Sequence, residues 1–213
     1  MGVYSATVRS LSPERIVEAG VALVGASGWS ALSLRAVATE LQVTPMAMYR
    51  HVADSEALRA AVLDHVVDGL AHPDASGDLS ADLIEWARRF RSGLDDHPGV
   101  AAHLLTAWFG CPPMLERVEE LLALVADDGV TGFEAVAATN ALIMYVLMRS
   151  EAERVVRAAG VVRRTLRTAS TTRDLPHLRS LSEHYTTARF DAHFEYGLAA
   201  LVVGMRLSTE ALA

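Results

Sequence analysis

Between residues 13 and 70 the apolar positions fall at helical spacing, interrupted by residues that cap or break helices. Ser12-Pro13-Glu14 reads as an N-cap followed by proline at the first helical position. Ile16, Ala19, Gly20, Leu23, Val24 and Ser27 then mark one face, and Gly28 ends the helix. Trp29 and Leu32 are apolar plugs in the connection that follows. Ser33 caps a second, short helix with Leu34, Val37, Ala38 and Leu41 inward. Thr44 caps a third, running from Pro45 to about His51, with Met48 and Val52 inward. Asp54 caps a fourth, which reaches about Leu70 on Leu58, Val62, His65 and Val66.

The run "AHPDASGD" (71–78) is a cluster of helix breakers and divides the chain into segments 1–70 and 71–213. Beyond it the periodicity predicts helices at 80–96, 100–108, 113–127, 133–157, 175–187 and 190–206. Thr131 to Glu134 forms a capping-box sequence at the start of the long one. Between 158 and 174 the pattern is polar, arginine-rich and weakly periodic, which predicts a loop. Strand-like alternation is scarce, so the fold class is all-α.

Composition narrows the picture. Hydrophobic residues make up 51% of the 213, ample for a core, which argues against a disordered chain. The single cysteine, Cys111, cannot form an intrachain disulfide, and no apolar run has signal-peptide or membrane-spanning length. A soluble cytoplasmic protein is expected. All 19 basic residues are arginine, which a GC-rich genome explains without any role in function. Net charge is -7, yet residues 1–52 carry four arginines against three glutamates. A nucleic-acid partner would therefore have to meet a local patch against long-range repulsion.

That patch has a candidate. The second helix, a tight turn at Gln42-Val43 and the third helix make a helix-turn-helix over 33–52, with small Ala38 at the closest approach. The exposed side of the third helix can then enter a major groove. Tyr49, Arg50 and His51 can hydrogen-bond phosphates, and Thr44 sits where a helix N-terminus favours one. Taken singly, Tyr49 reads as a ring packed on the first helix, His51 as a surface histidine and Arg35 as a solvated charge.

The whole run "GWSALSLRAVATELQVTPMAMYRHVADSEAL" (28–58) resembles the amino-terminal signature of the TetR family of transcriptional repressors. The Leu34-Arg35 pair, Val43 and the Met48-Tyr49-x-His51-Val52 closing carry the likeness together. It implies an N-terminal three-helix DNA-binding domain plus a larger C-terminal helical domain for ligand binding and dimerisation. By the same resemblance, the residues facing duplex operator DNA are Arg35, Thr44, Pro45, Met46, Ala47, Tyr49, Arg50 and His51. Ser55 departs from the pattern, since many members carry a lysine there, and one phosphate contact is expected to be missing.

The remainder is similar, more loosely, to the tetracycline repressor branch, through "LDDHPGVAAHLL" (94–105), the 133–157 helix and "FDAHFEYGLAALVVGMR" (190–206). In that branch a histidine near the position of His103 ligates the magnesium of a magnesium–tetracycline complex, and Glu151 falls near an acidic pocket residue. One imidazole and one distant carboxylate make a poor magnesium site, so neither metal nor cofactor is expected. Trp86, Phe90, Trp108, Phe109, Met114, Met144, Tyr145 and Met148 suit either a core or an adaptable cavity for an apolar effector. Asn140, placed inward on the long helix, would need a hydrogen-bond partner that a ligand could supply. The expected ligand set is Trp86, Phe90, His103, Trp108, Asn140, Met144 and Glu151.

A homodimer is expected through the 133–157 and 190–206 helices. Phe194, Leu198, Leu201, Val202 and Met205 form one apolar stripe, with Gly197, Ala200 and Gly204 small enough for close contact. The dimer-interface set is Phe194, Gly197, Leu198, Leu201 and Met205; the competing reading is the core of one subunit. An enzyme is not expected. There is no G-x-S-x-G, Walker A, G-x-G-x-x-G, H-E-x-x-H or cysteine metal pair, and Asp95-Asp96 and Asp127-Asp128 are poorly arranged for acid–base work. The alternative to an effector-controlled repressor is a helix-turn-helix protein governed by a protein partner.

Overall fold

Four of the predicted caps, at Ser12, Ser33, Thr44 and Asp54, form as hydrogen bonds, and Asp78 adds another. Ser12 Oγ accepts from Arg15 N at 3.4 Å, Ser33 Oγ from Ala36 N at 3.2 Å and Thr44 Oγ1 from Ala47 N at 3.3 Å. Asp54 Oδ1 accepts from Ala57 N at 2.8 Å, and Asp78 Oδ1 from Ala81 N at 3.1 Å. Each satisfies an otherwise orphaned backbone donor and contributes about 1 kcal/mol. The computed structural model describes residues 10–159 and 168–212, with side chains as far as Met205. The first four helices are α1 (Pro13–Ser27), α2 (Leu34–Glu40), α3 (Pro45–Met48) and α4 (Ser55–Asp68). After non-helical residues 71–78 come α5 (Leu79–Asp95), α6 (Val100–Ala107), α7 (Pro112–Asp127) and α8 (Gly132–Ala159). Then follow α9 (Pro176–Ser180) and α10 (Phe190–Leu212). Among the described residues there is no strand. None of the described helices is long and apolar enough to cross a membrane.

One continuous apolar core runs from Ile16 in α1 to Val202 in α10. α4 is central to it, because it packs on α1 at one side and on α7 at the other. Polar ties reinforce the larger part. Arg88 of α5 donates from Nε and Nη2 to Glu195 of α10. Glu153 of α8, nearly buried, accepts from Arg91 Nη2 at 2.6 Å and from Arg149. Burial pushes the Glu153 carboxyl above the usual range, against the pull of those two arginines.

Two segments differ from the sequence expectation. The helix expected at 175–187 is only α9, followed by 3-10 turns at Ser182–His184 and Thr187–Arg189. Ser180 Oγ donates to His177 O and Ser182 Oγ to Arg179 O, local bonds that compete with continuing a helix. Of the loop expected at 158–174, residues 160–167 lie outside the described residues, and 168–172 are helical.

Candidate nucleic-acid interface and effector region

The helix-turn-helix is built from α2 and α3. Leu34, Val37 and Ala38 hold α2 against the core, and Val43 N donates to Ala38 O at 2.9 Å, closing the turn. Gln42 supplies the turn with φ 56°, the left-handed region that costs a residue with a Cβ roughly 1–2 kcal/mol. Gln42→Gly is therefore expected to raise stability by about 1 kcal/mol, read as a higher melting temperature. A lower melting temperature would refute the strained-turn account. Met48 is fully buried and pins α3 from beneath.

α3 stops at Met48, a turn earlier than the sequence suggests, and the chain continues through 3-10-like bonds from Arg50 N to Ala47 O and His51 N to Met48 O. This tight closure aims several side chains outward together. Arg35, Thr44, Pro45, Met46, Tyr49, Arg50 and His51 are all exposed, and Ala47 is half-buried. Tyr49 is 53% exposed, so its ring is not consumed by packing on α1. Neither Arg35 nor Arg50 has an acidic partner among the described residues, which leaves two cations for phosphates. The helix N-terminus is a weaker anion site than its sequence implies. Pro45 has no N–H, and the Ala47 N–H is taken by Thr44, leaving that of Met46.

The helix-turn-helix part meets the larger part through Trp29. Its backbone N–H donates to Pro98 O at 2.7 Å, and a Cβ on Gly28 or Gly99, both at positive φ, would stand 3.2 Å from Pro98 O or 3.1 Å from Trp29 Cβ. His103 belongs to this junction. Its ring lies 4.7 Å from that of Trp29, whose other neighbour is the Arg59 guanidinium, 5.3 Å from the ring centre. Burial, aided by Arg59, lowers the pKa of His103.

The other six expected ligand residues scatter. Trp86 and Phe90 are fully buried and stacked on one another, and Trp86 Nε1 donates to Ala71 O at 3.1 Å. Asn140 is exposed, contrary to its expected inward position, because the inward positions of this turn of α8 are Thr139, Leu142 and Ile143. Glu151 is held by Arg154 in a two-point ion pair. Met144 is half-buried, and half-buried Trp108 stacks on exposed Phe109. A cavity of about 820 Å³ exists, but none of the seven lines it. Its walls include Leu79, Leu83, Val125, Phe133, Ala200 and Leu201.

That cavity opens on an outward apolar face. On α8, Phe133, Val136 and Met148 are exposed; on α10, Tyr196 and Val203 are, with Ala199 and Ala200 between them. The expected interface set is corrected on this point. Phe194 and Leu198 lie buried in their own subunit, and Gly197 faces Tyr145 of α8 rather than outward. Leu201 and Met205 are half-buried at the margin. Cys111 is buried and its thiol is pushed up to about 11, so it stays protonated and weakly nucleophilic at neutral pH. Among the described residues, no group of three or more His, Cys, Asp or Glu could hold a metal.

A short helix pair with an exposed cationic face, joined to a helical body, defines a helix-turn-helix regulator. The family model described as "Tetracyclin repressor-like, C-terminal domain" matches residues 71–208, and the chain belongs to the TetR family. It is 30% identical over 211 residues to an HTH-type transcriptional regulator of Saccharopolyspora erythraea, covering 94% of this chain and 87% of that protein. It is 29% identical to the HTH-type transcriptional repressor DrrR1 of Streptomyces coeruleorubidus, covering 93% and 78%. A crystal structure of a possible TetR family transcriptional regulator from Streptomyces coelicolor superposes with a TM-score of 0.80 at 27% identity, covering 92% of this chain and all of that one.

Proposed function

We propose that this chain is a homodimeric repressor that holds a palindromic operator through the Arg35, Tyr49, Arg50 and His51 face and releases it when a small molecule binds the larger part. The observation that carries the reading is the pairing of two surfaces on one subunit: an exposed cationic face on α2–α3 and an exposed apolar face on α8–α10. A reading element as short as α3 and the turn after it contacts too few bases to choose one site in a genome. Two copies, held by the apolar face, meet successive major grooves about 34–36 Å apart.

Tyr49→Phe is expected to weaken binding to every duplex by about tenfold, since a bond to a charged phosphate contributes roughly 1.5 kcal/mol and carries no sequence information. Arg35→Ala is expected to reduce the salt slope of binding by about 1. Both are read by fluorescence anisotropy across a salt series. Wild-type affinity in both variants would move the interface away from this face.

A further inference from the structure

We propose that Arg117 of α7 receives the carboxylate, or an equally acidic oxygen, of an apolar effector; this rests on the effector-responsive reading above. Arg117 is fully buried. Its Nη1 is engaged, donating to the Glu120 carboxylate oxygens at 2.8 Å and lying 2.6 Å from His72 Nδ1, itself 2.9 Å from Glu120 Oε1. Its Nε and Nη2 are shielded from solvent and have no hydrogen-bond partner.

Those two N–H groups lie along one edge of the planar guanidinium, the edge that grips a carboxylate at two points. This protein uses the same edge twice elsewhere. Arg88 sets Nε at 3.0 Å and Nη2 at 2.6 Å from the two oxygens of Glu195, and Arg154 sets Nε at 2.8 Å and Nη2 at 2.5 Å from those of Glu151. Arg91 and Arg149 also carry a buried unpaired Nε, but their Nη2 atoms are committed to Glu153. Among the described residues, only Arg117 has the whole edge unpaired inside the protein.

Stability does not account for an arginine there. It interrupts the inward stripe of Met114, Leu121 and Val125, where an apolar side chain of similar size would bury no unpaired donor. Met114, one turn away and fully buried, has the flexible side chain to repack around an apolar ligand body. The position also suits control. His72 follows the end of α4, and the start of α4, at Asp54, follows the DNA-facing turn directly. An acid at Arg117 would thus press on the far end of the helix that carries the reading head.

The test uses the full chain and matched aromatic pairs, 2-naphthoate with 2-naphthamide and anthraquinone-2-carboxylate with its carboxamide. Melting temperature and operator affinity are followed for wild type, Arg117→Met and Arg117→Lys. An acid at a hundredfold excess over its Kd is expected to raise the wild-type melting temperature by roughly 5–10 °C and to release the operator. The amide should be at least about tenfold weaker. In Arg117→Met the acid and amide should act alike, and Arg117→Lys should recover only part of the preference. A wild-type measurement stands beside the variants: the 15N signal of the Arg117 Nε–H should shift on adding the acid and not the amide. Equal action of acid and amide on wild type, an acid preference retained in Arg117→Met, or no response to any acid at millimolar concentration would overturn the proposal. So would the same signal shift from chloride or sulfate alone. Arg117-dependent stabilisation by acids that leaves operator affinity untouched would keep the site and remove the effector-responsive reading.

Discussion

Val203→Arg is expected to give a folded monomer whose operator affinity is lower by roughly 10²–10⁴-fold. Two linked heads gain about that much over one through effective concentration, without any new contact. Val203 is 58% exposed and lies seven residues from Tyr196, two helical turns along the same face of α10, with Ala199 and Ala200 between. Across from that stripe, α8 exposes Phe133, Val136 and Met148. An apolar face this extended marks an association surface, and a guanidinium at its centre would have to be buried against a copy of itself. The subunit itself should tolerate the change, because its own core takes Phe194, Leu198 and Val202 from α10 and leaves Val203 outside. Light scattering gives the oligomeric state and circular dichroism the fold. A folded dimer with unaltered operator affinity would place the interface elsewhere.

The second large effect is on stability. Gly197→Ala is expected to destabilise the protein by roughly 1–3 kcal/mol, although alanine is the better helix former by about 1 kcal/mol. The added Cβ would stand 2.2 Å from Tyr145 Oη, 2.9 Å from Cζ and 3.1 Å from Cε2. Tyr145 cannot easily step aside. Its hydroxyl donates to Phe194 O at 2.9 Å, and its ring centre lies 5.6 Å from that of Phe194, so the residue ties α8 to α10. Moving it forfeits a partly buried hydrogen bond as well as packing. Tyr145→Phe in the same chain removes the 2.2 Å contact and should restore part of the loss, a coupling of opposite sign to simple addition. Thermal melts of the two single variants and the double variant decide it; a Gly197→Ala protein as stable as wild type would show that the two helices are not in this close contact.

Most of the amino-terminal helices could be read from the chain because their signals are local. Ser12, Ser33, Thr44 and Asp54 each bond a backbone N–H three residues on, a rule that needs no knowledge of distant partners. The exposed cationic face followed for the same reason. The larger part was less legible because the question there is which face of a helix meets its own subunit. α10 carries two apolar stripes, Phe194-Leu198-Val202 and Tyr196-Ala199-Val203, and periodicity alone does not say which one is inside. The seven-residue spacing of Tyr196 and Val203 was a signal for the outer stripe that the larger, inner residues obscured. Trp86 and Phe90 looked equally suited to core and cavity, and tertiary packing decided for core. Asn140 erred by one position, since Thr139 is the inward residue. Arg117 went unnoticed although its sign was present, a charge three residues after Met114 and four before Leu121 on an inward stripe.

The central claim, that two copies of the α2–α3 face read one operator, is tested most directly by selecting duplexes from a random pool with the purified full chain. The expected product is a palindrome whose half-sites are centred about 34–36 Å apart, or a multiple of that, with retention falling steeply as salt rises. Failure to retain any duplex at low salt, or selection of a single half-site without a symmetric mate, would contradict it.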